Sequence, residues 1–173
     1  FVSDKSLANN NIKASILKII NKEIDTLNVA RKKEGKTLKK EIKLYINSIM
    51  KITKQLIPLE LKRLKNKKSK IKNQFLNSSI NYDVSRLESE MVFYFERCDI
   101  TEERVRLQHH CEFFIKEMNS SDILGKKLNF ISQEILREIN TIGSKANDFE
   151  IQKRVVIMKE EIEKIKEQIQ NIL

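Results

Sequence analysis

Residues 151–172 read IQKRVVIMKEEIEKIKEQIQNI. Ile151, Val155, Met158, Ile162, Ile165, Ile169 and Ile172 recur in alternating steps of four and three with charged residues between them, the signature of a heptad seam along one helix face. The pattern runs almost to the last residue and requires a partner surface, supplied either by other helices of the same chain or by another subunit. The residues upstream follow related spacings. Ile12, Ile16, Ile19, Ile20, Ile24 and Leu27 predict an amphipathic helix over 12–29, and Leu38, Ile42, Tyr45, Ile49, Ile52 and Leu56 predict another over 37–57. Pro58 is suited to the first turn of a new helix and predicts a bend.

Turn-forming residues separate the remaining segments. Asn77, Ser78, Ser79, Asn81 and Asp83 predict a loop, after which a helix runs to Cys98. Thr101 opens another that ends near Met118, Asn119 to Asp122 make a second loop, and a helix from Gly125 to Thr141 is followed by a break at Gly143 and Ser144. Three Gly and one Pro in 173 residues leave too few turn residues for a sheet-based fold. The expected architecture is all-α, an elongated set of helical hairpins or a bundle closed by the long C-terminal helix. Its expected organisation is an N-terminal helix over 1–30, a basic helical hairpin arm over 31–82 and a helical core over 83–173.

Composition narrows the partners. The net charge is +10, but residues 31–72 carry +13 and the rest of the chain −3, so the basicity belongs to one segment. Such a segment attracts polyanions through counterion release. The other reading is a solvated helix surface, since Lys is a good helix former. No apolar run long enough to span a bilayer and no leader pattern occur, so a cytoplasmic protein without a membrane anchor is expected. Cys98 and Cys111 match no metal or redox spacing and read as buried, unpaired thiols. The chain opens on Phe1 rather than Met, and it reads as a fragment of a longer product.

Chemistry concentrates in residues 125–146. Leu128, Ile131, Ile135, Ile139 and Ile142 follow the helical period and face the core, and Glu134, Arg137 and Glu138 are expected on a different face. Two carboxylates at i and i+4 can share a hard divalent cation, and an Arg between them can fork onto a phosphate. The same spacing also suits an ordinary surface ion-pair network. His109 and His110 are the only imidazoles available as a base of near-neutral pKa or as nitrogen ligands. No phosphate-binding loop, nucleophile elbow or dinucleotide fingerprint is present.

Gly125, Leu128, Phe130, Gln133, Glu134, Arg137, Glu138, Asn140, Thr141, Ser144, Lys145 and Ala146 stand at the fixed positions of the C-terminal signature of the YicC-like endoribonucleases, and the segment resembles that family. The likeness extends through Arg86, Leu87 and Glu90, through Asp99, Ile100, Glu102 and Glu103, and through Arg106, Leu107, His110 and Phe114, with Arg31, Glu34, Gly35 and Leu38 near the start. It implies RNA cleavage that needs a divalent cation, Mn or Mg, in a ring-like homo-oligomer, a hexamer, together with an N-terminal domain that this chain lacks. It also selects His110 over His109. It implies that the cluster is catalytic, and the roles inferred from side-chain chemistry then give catalysis to His110, Glu134, Arg137 and Glu138, a metal to His110, Glu134 and Glu138, and RNA phosphates to Lys127, Arg137 and Lys145. Two departures stand out: Asn129 occupies a usual Asp position and Lys127 a usual Arg position. The alternative reading is a non-catalytic helical oligomerisation or RNA-binding module.

Overall fold

The structure, a computed structural model, describes residues 3–76, 84–120 and 125–170. Within these residues it is helical apart from the short connections at 99–100, 119–120 and 147–148. The helices are α1 (Ser3–Leu76), α2 (Val84–Cys98), α3 (Thr101–Met118), α4 (Gly125–Ala146) and α5 (Phe149–Gln170). The predicted 77–83 loop and residues 121 and 122 of the 119–122 loop lie outside the described residues.

The chain divides into two units, residues 1–41 and 42–173. In the first, the Ile12, Ile16, Ile20, Ile24 and Leu27 face of α1 is exposed along its length. In the second, the 42–76 portion of α1 packs with α3, α4 and α5 as a four-helix bundle. Its core is drawn from Ile42, Ile46, Ile49 and Leu56 of α1, Leu107, Cys111 and Phe114 of α3, Ile131, Ile135 and Ile139 of α4, and the α5 seam. Every described seam residue, Ile151, Val155, Met158, Ile162, Ile165 and Ile169, is buried within this unit. The heptad pattern is satisfied inside the chain.

Two expected interruptions are absent. α1 is one helix where two or three were anticipated, because the intervening residues are good helix formers apart from Gly35, which costs only about 1 kcal/mol in a helix interior. Pro58 lies inside α1 on its exposed side, as does Lys54, whose carbonyl loses its helical partner there and can bond to water instead. Likewise α4 continues through Gly143 and Ser144 to Ala146. Gly143 serves close packing, since a Cβ there would stand 3.1 Å from Cγ1 of Val155 on α5. The turn falls at Asn147, in the left-handed region at φ 40°, followed by Asp148. Oδ1 of Asp148 accepts from the amides of Glu150 (3.0 Å) and Ile151 (3.1 Å) and so caps α5.

Polar contacts tie α1 to the helix ends. Glu60, which is buried, accepts from the Ile100 amide at 3.4 Å and faces Nε of Arg104 at 3.9 Å. Burial pushes its carboxyl above the usual carboxylate range, opposed by the Ile100 amide and by the charges of Arg104 and Arg63. Arg63 donates to the Cys98 carbonyl at 2.6 Å and to the Ala146 carbonyl, engaging the C-terminal ends of α2 and α4 at once. Both cysteines are free; Cys111 is buried, with its thiol pushed up to about 12 by desolvation, whereas Cys98 is only half-buried.

Candidate functional site on the seam between helices α3 and α4

On α3, Glu103, His110 and Glu117 are separated by seven residues each and share one flank of the helix. On α4, Lys127, Glu134, Glu138 and Lys145 follow one another in steps of seven, four and seven along the flank that meets it. The two helices run antiparallel, fixed by two ion pairs: Nζ of Lys127 to Glu117 at 2.6 Å, and Nζ of Lys145 to Oε1 of Glu103 at 2.7 Å. His110 lies midway between the two glutamates. Midway between the two lysines is Leu136, with Glu134 and Glu138 on either side. The register of the seam thus brings His110 level with the two carboxylates, between the two ion pairs.

The three differ in environment. Glu138 is 5 % exposed and, among the described residues, makes neither a hydrogen bond nor an ion pair. Its burial departs from the expected polar face: at 100° per residue it sits beside Ile131 and Ile142, on the edge of the core stripe. Glu134 is half-buried and stands 3.8 Å from NH1 of Arg137, whose side chain is 74 % exposed. His110 is half-buried.

Among the described residues no group of three or more His, Cys, Asp or Glu side chains is arranged to hold a metal ion. His110, Glu134 and Glu138 therefore share a level without forming a three-ligand cage within one chain. The carboxylates alone match a cation such as Mg, which is commonly held by one or two carboxylates and takes its other ligands from water and substrate phosphate.

Lys127 and Lys145, expected on phosphates, each hold a carboxylate across the seam. Their ion-pair partners are the site residues that spacing alone did not single out, although the heptad step of Glu103, His110 and Glu117 is visible in the sequence. Lys127 also lies over the Phe113 ring, 5.6 Å from its centroid, and Phe130, one turn along α4, is largely exposed.

The hydrogen bond to Glu103 holds the Lys145 ammonium above the usual lysine range. Its stabilising contribution is complete below that range and disappears as pH rises through the elevated value. Glu103 is buried, and its Oε2 has no hydrogen-bond partner among the described residues, so Oε1 depends on Lys145. Lys145→Ala should cost about 1–3 kcal/mol by leaving that carboxylate uncompensated, and adding Glu103→Gln should recover most of the loss. Urea unfolding of the single and double variants checks this; additive losses would remove the pair from the register argument.

Residues 50–173 match the family model described as Endoribonuclease YicC-like, C-terminal. The chain is 36% identical over 149 residues to a protein named "Probable endoribonuclease YicC" from Clostridioides difficile (strain 630), covering 82% of this chain and 50% of that protein. It is 32% identical over 142 residues to one of the same name from Haemophilus influenzae (strain ATCC 51907 / DSM 11121 / KW20 / Rd), with the same two shares. The chain spans about half the length of the curated relatives it matches. With the matched region taking in the last third of α1, both helices of the seam and all described residues of α5, the chain belongs to the YicC-like endoribonuclease family.

Proposed function

We propose that this chain is the helical part of a metal-dependent endoribonuclease and that its chemistry lies on the α3/α4 seam. The observation that carries the reading is the level shared by His110, Glu134 and Glu138 between two inter-helix ion pairs, within the region matched by an endoribonuclease family. Glu134 and Glu138 would hold the cation. A bound Mn or Mg ion supplies positive charge to the phosphate and lowers the pKa of a coordinated water.

The chain's own residues do the rest. Arg137, exposed beside Glu134, is free to swing its guanidinium onto a phosphate oxygen, where planar bidentate binding stabilises the charge that builds as the phosphorus is attacked. His110 moves a proton at the attacking or the leaving oxygen, the role histidine fills most often among catalytic side chains. Lys127 and Lys145 act first as register ties and add positive potential for RNA. Assembly into a homo-oligomer, a hexamer, belongs to the same reading, and Phe130 and Phe149 are exposed apolar residues of the kind such contacts cover. A cytoplasmic setting is consistent with the observation that no helix of the described residues is long and apolar enough to cross a membrane.

Incubating the protein with end-labelled single-stranded RNA and Mn or Mg, with and without chelator, tests the proposal. Internal cleavage that stops on chelation is expected. Binding without cleavage would leave a helical RNA-binding module in its place.

A further inference from the structure

The 42–76 portion of α1 contains a single acidic residue, Glu60, and that one is buried in the bundle. Its lysines point elsewhere. At 100° per residue, Lys51, Lys54, Lys62, Lys65, Lys68 and Lys72 fall within about a third of the helix circumference, and all six are exposed. No ion pair engages any of them among the described residues.

The contrast with the rest of the unit is informative. On α3, α4 and α5 the basic side chains are interleaved with carboxylates: Arg106 with Glu102, Arg137 with Glu134, Lys153 and Arg154 with Glu150, Lys164 with Glu161 and Lys166 with Glu163. A helix surface enriched in Lys merely for solubility or helix propensity would carry such i, i+3 and i, i+4 partners too. The α1 stripe has none. Its six ammoniums repel one another along a rigid rod, a disposition that a linear polyanion relieves by releasing its own counterions.

We infer that the Lys51 to Lys72 stripe of α1 is a binding surface for the phosphodiester backbone of single-stranded nucleic acid, separate from the α3/α4 seam. An anionic bilayer is the weaker match. Helices that lie on membranes bury a broad apolar face in the lipid, whereas Ile42, Ile46, Ile49 and Leu56 of this part of α1 are enclosed by the bundle and the exposed Leu44, Ile57 and Leu61 are too few and too scattered to make such a face. The stripe also offers little for base recognition, so contacts through the backbone predict weak sequence preference. Its identification with RNA rests on the function proposed above; the surface itself does not, because binding can be read without cleavage.

The test compares the parent protein with Lys62→Gln/Lys65→Gln/Lys68→Gln and with Lys153→Gln/Lys164→Gln/Lys166→Gln, which removes the same charge from α5. Binding of a fluorescent 2′-O-methyl uridine oligonucleotide is followed by anisotropy, with chelator present, over a series of salt concentrations. The stripe variant should bind about tenfold more weakly at low salt and lose about 0.7 of log–log salt slope for each lysine that sits on a phosphate. The α5 variant should keep most of the parent's affinity and slope. An unchanged slope in the stripe variant, or an equal loss in the α5 variant, would overturn the assignment. So would a parent protein that binds phosphatidylserine vesicles but not the oligonucleotide. Cleavage failing while stripe-dependent binding persists would count against the nuclease reading alone.

Discussion

Glu138→Gln should reduce RNA cleavage by about a hundred- to thousand-fold, the range associated with losing one preorganised stabiliser of transition-state charge, here the cation that Glu138 would hold, while leaving the fold intact. The separation of the two effects follows from the environment of the carboxylate. Glu138 is 5 % exposed and has no hydrogen bond or ion pair among the described residues, so the substitution breaks no structural contact. Gln preserves its shape, and no partner in the described residues is left unpaired by the loss of the charge, so the change should cost little stability. Activity and stability should therefore move independently. A residue present for structure alone would lose both. Glu134→Gln is the companion: its tie to exposed Arg137 is of the kind that contributes about 0.2–0.5 kcal/mol, so a large fall in cleavage would again exceed any structural cost. Measuring single-turnover cleavage and urea unfolding on the same preparations decides the matter. Full cleavage by the Glu134→Gln/Glu138→Gln double variant would remove both carboxylates from the chemistry.

Phe114→Ala should destabilise the second unit by about 3–5 kcal/mol. Phe114 is completely buried, one helical turn beyond His110 on α3, and its ring belongs to the core shared with α4. Its removal loses apolar burial and leaves a void that the surrounding isoleucines, stiff at χ1, fill poorly. Typical domains are stable by about 5–15 kcal/mol in total, so the loss is a large share. Phe114→Leu should cost less by retaining part of the volume. Thermal or urea unfolding followed by circular dichroism reads both, and a loss below about 1 kcal/mol for the alanine variant would show that α3 is not seated on α4 as described. Because the seam carries His110 and its two carboxylates, Phe114→Ala should also depress cleavage under conditions where it remains folded.

The amount of this architecture visible in the sequence varied with how local its causes are. The ends of α2 and α3 and the burial of the α5 seam could be read directly, since periodicity and turn residues act within a few positions. The continuity of α1 could not. Pro58 has the same identity whether it opens a helix or sits on the wet side of a long one, and the second case depends on which face the bundle covers. Gly143 misled for a related reason: it looks like punctuation, but its missing Cβ makes room for Val155 from the next helix.

The candidate site divides similarly. Spacing brought out Glu134, Arg137 and Glu138, and the family signature singled out His110, but the alignment of these groups depends on Glu103 with Lys145 and Glu117 with Lys127, pairs that meet only when α3 and α4 dock. The burial of Glu138 came from the same docking. A helical wheel placed it with the polar residues, although its angle lies at the border of the apolar stripe.

The contacts made by α1 also impose an order on assembly. The α4/α5 hairpin closes through just two residues, Asn147 and Asp148, so its helices meet at little loop-closure cost. By contrast, Arg63 reaches a carbonyl 35 residues ahead at Cys98 and another 83 ahead at Ala146, and the Thr53 hydroxyl meets the Met158 sulfur across 105 residues. Contacts of such long sequence separation form slowly. The acceptors for Arg63 exist only once α2 and α4 have ended where they do, which predicts that α1 docks late, after the hairpin of α4 and α5 and the seam with α3, with the lysine-bearing helix as the clamp that closes over them.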